Sequence, residues 1–165
     1  MTSYLSPIVL LMVAFGLSAC AQGGFGGGDT AALNASHGTA PHPSSPAYFS
    51  QTLGDRVFFA VDQSTLSPGA VTTLDGQAQW LMANPEYIAL IEGHADERGT
   101  REYNLALGAR RANVVEEYLI SRGVAANRLR TISYGKERPV EICSDESCYR
   151  QNRRSVSVLA AGTGA

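Results

Sequence analysis

Residues 87–113 read YIALIEGHADERGTREYNLALGARRAN, and this stretch decides the fold. The apolar run Tyr87–Ile91 predicts a strand. The polar residues 93–99 predict a loop, and Thr100 is placed to cap a helix that continues to about Ser121. A strand, a short loop and a long helix in this order are typical of an α/β sheet.

The flanking sequence adds further strands and one more helix. Strands are predicted at 56–61, 129–134 and 154–159. A helix is predicted to open at Ser67-Pro68 and to stop at Asn84-Pro85. The order is therefore βαβαββ, which predicts an α/β fold (an α+β sandwich) with two helices packed on one face of a mixed four-stranded sheet.

The first 47 residues do not read as part of a core. Residues 8–17 are an apolar run of about ten residues, too short to span a bilayer and typical of a signal peptide. The run ends in Leu17-Ser18-Ala19-Cys20, a lipobox pattern, so we predict a signal peptide at 1–19 and a lipid on Cys20. An ordinary secretory signal with an incidental cysteine is the alternative. The Gly- and Pro-rich residues 20–47 predict a flexible tether, which leaves 48–165 as the folded domain.

Charge and cysteine content limit the function classes. The net charge of −2 does not suit a phosphate-binding surface, so no nucleic-acid partner is expected. Export to an oxidising compartment favours a disulfide between Cys143 and Cys148, with two free thiols as the alternative. No further Cys or His stands at ligand spacing, so no metal site is predicted.

The loop after the second strand carries the residues with the most definite chemistry. Ligands gather at this edge of an α/β sheet, and the start of the next helix favours an anion. Asp96 can hold an ammonium group, and Arg111 can hold a carboxylate through two parallel hydrogen bonds. Together they match a free amino-acid end. On charge pattern alone, a surface salt bridge is the favoured interpretation.

A longer series of motifs surrounds this loop. It comprises GHADERGT at 93–100, EYN at 102–104, LG at 107–108, RRAN at 110–113, SYGKE at 133–137 and NRR at 152–154. Over about residues 54–160 the series resembles the C-terminal domain family of outer-membrane protein A (OmpA), and within it the peptidoglycan-associated lipoproteins. The resemblance implies an OmpA-like fold.

The resemblance also implies a function and a site. The family binds the diaminopimelate of uncrosslinked peptidoglycan stems without cutting it, so neither catalytic residues nor a cofactor are expected. The ligand-binding positions carried over from the family are Asp96, Arg111, Arg98, Thr100, Asn104, Leu107 and the aromatic Phe59. Many relatives have Asp directly after that Phe, whereas this chain has Ala60. Asp62 is a candidate replacement if the strand continues, because alternate residues share a face.

By the same resemblance, the expected location is the periplasmic face of the outer membrane. The expected partners are peptidoglycan, the outer membrane through the lipid on Cys20, and a periplasmic β-propeller protein of the Tol envelope system that acts in cell division. The sequence places the cysteine loop outside the matched pocket.

Two rival functions stay open. A peptidoglycan hydrolase would need a nucleophile or zinc site, but His94 is the only histidine of the domain. An interaction-only lipoprotein with a degenerate pocket is suggested by Ala60 alone.

Overall fold

The computed structural model describes residues 40–162 of the 165-residue chain. The predicted signal peptide, the predicted lipid attachment site Cys20 and the tether as far as residue 39 lie outside the described residues. Within the described part, no helix is both long enough and apolar enough to cross a membrane.

Four strands and two long helices follow one another in the predicted order. In chain order the elements are α1 (Pro46–Tyr48), a π-helical segment (Phe49–Gly54), β1 (Arg56–Phe58), α2 (Pro68–Ala83), β2 (Tyr87–His94), α3 (Arg101–Ser121), a 3-10 helix (Ala126–Arg128), β3 (Leu129–Gly135), α4 (Glu146–Asn152) and β4 (Arg154–Ala161). The predicted α/β fold of type βαβαββ is confirmed. The sequence pattern did not predict α1, the π-helical segment or α4.

The four strands form one mixed sheet in the order β1-β4-β2-β3. β2 and β3 are parallel, with Ala89 opposite Leu129, and α3 connects them. β4 lies between β1 and β2 and is antiparallel to both. The last strand to be synthesised is therefore central. The sheet edge at which β2 ends lies next to the start of α3.

Local sequence signals fix the ends of both long helices. The Ser67 hydroxyl accepts a hydrogen bond from the backbone N–H of Ala70, and Thr100 does the same for Tyr103, both at 3.2 Å. Each satisfies a donor that the first helical turn leaves unpaired. Gly123 has a φ of +101°, the left-handed conformation that glycine adopts readily after a helix. The predicted caps are all present.

The apolar core lies between the two long helices and one face of the sheet. Leu74, Leu81 and Leu119 from the helices are fully buried, as are Ala89 and Ile91 from β2. The alternation along β2 places every second residue in this core. The opposite face of the sheet carries the more exposed residues.

Two glycines let α3 lie directly against β2. A Cβ atom on Gly93 would overlap the carbonyl oxygen of Gly108. A Cβ on Gly108 would lie 2.8 Å from the Gly93 oxygen. Both glycines belong to the motif series described above. Their close packing sets how near the first turns of α3 come to the end of β2, where the candidate site lies.

The first strand is shorter than predicted. We expected it to run from 56 to 61, but it ends at Phe58. The Phe59 N–H then donates to the carbonyl oxygen of Arg153 at 2.9 Å, and Asp62 adopts a φ of +55°. The chain therefore turns, so Asp62 does not share a strand face with position 60 as the extended pattern predicted.

Part of the predicted tether lies against the domain. The indole N–H of Trp80 donates to the carbonyl oxygen of Pro43 at 2.7 Å. Ser45 caps α1 through the backbone N–H of Tyr48. Residues 43–47 are therefore held by the domain, although their composition is that of a linker. A buried indole N–H needs an acceptor, and composition cannot show which residue supplies it.

Candidate ligand-binding site

A cavity of about 370 Å³ lies where the turn after β1, the β2–α3 loop and the first turns of α3 meet. Five of the seven predicted ligand residues line it: Asp96, Arg98, Asn104, Leu107 and Arg111. The five other lining residues are Val61, Asp62, Gly99, Tyr103 and Arg153. The structure therefore brings most of the predicted set together, and their role in binding stays a prediction.

Arg111 enters the cavity from α3 and has no exposed surface. Its Nε and Nη1 donate to the carbonyl oxygens of Gln63 and His94, both at 2.8 Å, and its Nη2 donates to that of Ala60 at 3.2 Å. No carboxylate lies within ion-pair distance of it among residues 40–162. Burial lowers the pKa of Arg111 to about 10, which still leaves it cationic at neutral pH. It is thus a buried cation that lacks a counter-ion within the described part of the chain.

Asp96 lies in the loop between β2 and α3 and carries the opposite charge. Its Oδ2 accepts from Arg98 Nη2 at 2.6 Å and from Arg153 Nη1 at 3.2 Å. Its Oδ1 accepts from the backbone N–H of Arg98 at 3.2 Å. Burial acts to raise the pKa of Asp96, but the hydrogen bonds from the two arginines outweigh it and hold the pKa below its usual value. Asp96 is therefore ionised at neutral pH.

The loop that carries these groups is fixed from several directions. The Asn104 side chain donates to the carbonyl oxygen of Arg98 at 2.7 Å. Lys136 donates to the carbonyl oxygen of Gly99 at 2.8 Å. Gly99 itself has a φ of +86°, which a side chain would strain. The protein's own contacts therefore hold the loop in place.

Two predicted residues, Thr100 and Phe59, are not among the residues that line the cavity. Thr100 caps α3 and so orients the loop. Phe59 is buried, and its ring lies 5.2 Å below the Arg111 guanidinium, where the ring face attracts the cation. Both residues therefore support the site, and their role in ligand binding stays a prediction.

Part of the cavity wall could not be recognised from the sequence. Val61 and Tyr103 form a half-exposed apolar rim. The Tyr103 hydroxyl donates to the carboxylate of Asp62, which lines the cavity despite the early end of β1. Arg153 donates to the Phe59 carbonyl oxygen at 3.1 Å and to Asp96 Oδ2 at 3.2 Å. The NRR motif was the signal for it, and only the fold shows which arginine enters the cavity.

The remaining titratable side chains of interest lie elsewhere. His94 is buried beside the Tyr134 ring, and neither of its ring nitrogens has a hydrogen-bond partner within the described range. Burial lowers its pKa to about 4. Cys143 and Cys148 form the predicted disulfide, with Cα atoms 5.8 Å apart. The only cluster of possible metal ligands in the part of the chain that the structure covers contains both of these cysteines.

Comparison with known proteins decides the family. The model of the OmpA family matches residues 58–153, a range that contains the whole cavity. The chain belongs to the OmpA family. OmpA-family proteins named peptidoglycan-associated lipoproteins are its relatives: the one from Rhizobium meliloti is 52% identical over 161 residues, which cover 97% of this chain and 90% of the relative.

Solved OmpA-family structures agree with this membership. The peptidoglycan-associated lipoprotein from Burkholderia pseudomallei is 36% identical, with a TM-score of 0.67 over 72% of this chain and 100% of that one. The C-terminal domain of Helicobacter pylori MotB, at 20% identity and a TM-score of 0.61, shares the fold. Peptidoglycan-associated lipoproteins are a non-enzymatic structural family, and the prediction that this chain is not an enzyme is confirmed by that membership.

Proposed function

We propose that this chain binds the diaminopimelate of peptidoglycan stem peptides, non-covalently and without cleaving it. One observation carries the proposal: Arg111 is a buried cation with no carboxylate at ion-pair distance among residues 40–162, and the ionised Asp96 lines the same cavity. A diaminopimelate side chain ends in a carbon that bears both a carboxylate and an ammonium group. Its two charges complement the two groups of the cavity.

Of the two charged groups of the ligand, the carboxylate is the one that distinguishes diaminopimelate from lysine. A guanidinium has five N–H donors, and Arg111 spends at least three of them on backbone carbonyls. A ligand carboxylate would use the remaining donors and balance a charge whose burial is otherwise costly. A stem peptide with lysine in place of diaminopimelate has the ammonium but not this carboxylate. It should therefore bind poorly.

The wider role that we propose is to connect the outer membrane to the cell wall. Cys20 would carry the lipid, and the following residues would let the domain reach peptidoglycan. Ala21 follows Cys20, so no Asp stands there to retain the chain in the inner membrane. Support comes from the Rhizobium meliloti relative, which is named as a lipoprotein and aligns over nearly the whole chain. We further propose that the domain acts in the Tol envelope system, where a periplasmic β-propeller protein competes for the same cavity.

Co-sedimentation with purified sacculi tests the binding role. The full-length chain in detergent should sediment with sacculi that contain diaminopimelate, should be displaced by the free tripeptide ending in diaminopimelate, and should release no soluble fragments. Sacculi with lysine-type stems are the matched control and should retain much less. Equal retention by both types would contradict the proposed ligand. Released muropeptides would indicate a hydrolase, and no sedimentation would favour an interaction-only lipoprotein.

A further inference from the structure

The disulfide-closed segment after β3 contacts the ligand loop, although none of its residues lines the cavity. Ser144 donates to Glu97 Oε1 at 2.8 Å, and the Tyr149 hydroxyl donates to the same oxygen at 3.0 Å. The Arg98 guanidinium lies over the Tyr149 ring, 4.5 Å from its centre. Glu97 and Arg98 directly follow Asp96, so these contacts reach the cavity wall.

Helix α4 also supplies a charge next to the site. Glu146 lies 3.8 Å from Arg98 Nη2, and its other oxygen accepts from Arg153 Nη2. Arg98 and Arg153 are the two arginines that hold Asp96. The four side chains therefore form one network in which two cations are each shared between two carboxylates.

The charge count of this network matters for a ligand ammonium. With Glu146 the network is neutral, since two arginines face two carboxylates. Without Glu146 the network would carry one net positive charge. An ammonium that approaches Asp96 would then meet repulsion from Arg98 and Arg153 that Asp96 alone does not offset. Glu146 does not itself line the cavity, and its contacts with the site are with the two arginines.

We propose that disulfide-closed α4 is a positioning element of the ligand site. Tyr149 and Ser144 hold the loop at Glu97 and Arg98, and Glu146 balances the charge of the arginines around Asp96. The Cys143–Cys148 bond closes a short loop across the start of α4 and limits the conformations open to that segment. This inference concerns affinity for a ligand with an ammonium group, and in that respect it rests on the proposed function.

The test of the charge role compares three variants of the full-length chain by calorimetric titration with the diaminopimelate tripeptide. Glu146→Gln should weaken binding by roughly threefold to tenfold, because one nearby charge is lost. Glu146→Asp, which keeps the charge, should restore most of the affinity. Glu141→Gln is the matched control: Glu141 is exposed, and its bonds to Asn152 come from its backbone. Wild-type affinity for Glu146→Gln, or an equal loss for the control, would overturn the charge role.

The test of the positioning role needs no ligand. The backbone N–H of Arg98 donates to Asp96 in the native loop, so its hydrogen exchange reports the order of the site. Exchange at Arg98 should become several-fold faster in the Cys143→Ser/Cys148→Ser variant, and amides of the β2 core should stay unchanged. Unaltered exchange at Arg98 would overturn the positioning role. If the wild type binds no tripeptide, the proposed function fails, and the exchange result still decides whether α4 holds the loop.

Discussion

Replacing Arg111 by Ala should affect both folding and binding, and the structure gives the size of each effect. The side chain connects α3 to the carbonyl oxygens of Ala60, Gln63 and His94. These three acceptors belong to the turn after β1 and to the end of β2. Arg111 therefore also stabilises the folded site. It differs in this from an exposed ion pair, whose removal costs little stability.

The stability cost follows from the bonds that are lost. At about 1 kcal/mol for each of three hydrogen bonds, Arg111→Ala should lower the free energy of unfolding by roughly 3 kcal/mol. The variant no longer buries a charge, which offsets part of this loss of stability. The cavity left by the side chain adds to the loss. For a domain of this size the midpoint of thermal unfolding should fall by about 10 °C. Arg110→Ala is the matched control, because Arg110 is exposed on the same helix turn.

The cost in binding can be measured separately from the cost in stability. Loss of one partner of a desolvated charge pair costs on the order of 2–5 kcal/mol, which is roughly thirtyfold or more in affinity. Arg111→Lys keeps the cation but loses the planar fork, so it should also bind weakly while unfolding less readily than the Ala variant. Circular dichroism melting and calorimetric titration with the diaminopimelate tripeptide measure the two effects. An Arg111→Ala protein that melts like the wild type and binds as tightly would refute the reasoning.

Three further predictions each concern a single residue: Gly93, His94 and Cys20. Gly93→Ala should destabilise the fold strongly, because its Cβ would overlap the Gly108 carbonyl oxygen; urea unfolding checks this, and an unchanged midpoint would contradict the close packing. His94 has a pKa of about 4 when folded against about 6.5 in an unfolded chain, so the unfolded state binds more protons between these values. The free energy of unfolding should therefore fall as the pH drops from 6.5 to 4, and His94 should account for roughly 2–3 kcal/mol of this fall. If a His94→Phe variant shows the same pH dependence as the wild type, His94 is not its cause. Cys20→Ala should abolish labelling by radioactive palmitate in growing cells and release the chain from membrane fractions; labelling that persists would contradict lipidation at Cys20.

The order of the strands and helices could be predicted because local signals agree with one another. Ser67 and Thr100 cap helices that also have helical apolar spacing, and Gly123 ends the second of them. No local sequence signal shows that β4 lies in the centre of the sheet. Periodicity alone would not place the last strand between the first and the second.

The site was predictable where residues are close in sequence and less so where the chain returns to it. Asp96 and Arg98 share one loop, so their proximity follows from the sequence. Arg153 and Glu146 reach the same loop from about 50 residues away, through contacts that depend on α4. The sequence predicted only a disulfide loop there, although Asp145 caps α4 through the N–H of Ser147 at 2.7 Å. A helix of this length gives too short a pattern for periodicity to detect.

The central claim is that the cavity recognises both charges at the end of diaminopimelate. Calorimetric titration of the full-length wild-type chain with two tripeptides tests it most directly, one ending in diaminopimelate and the other in lysine. The account predicts measurable binding of the first and a loss on the order of 2–5 kcal/mol for the second, because Arg111 then lacks a carboxylate partner. Equal affinity for the two peptides would contradict the account.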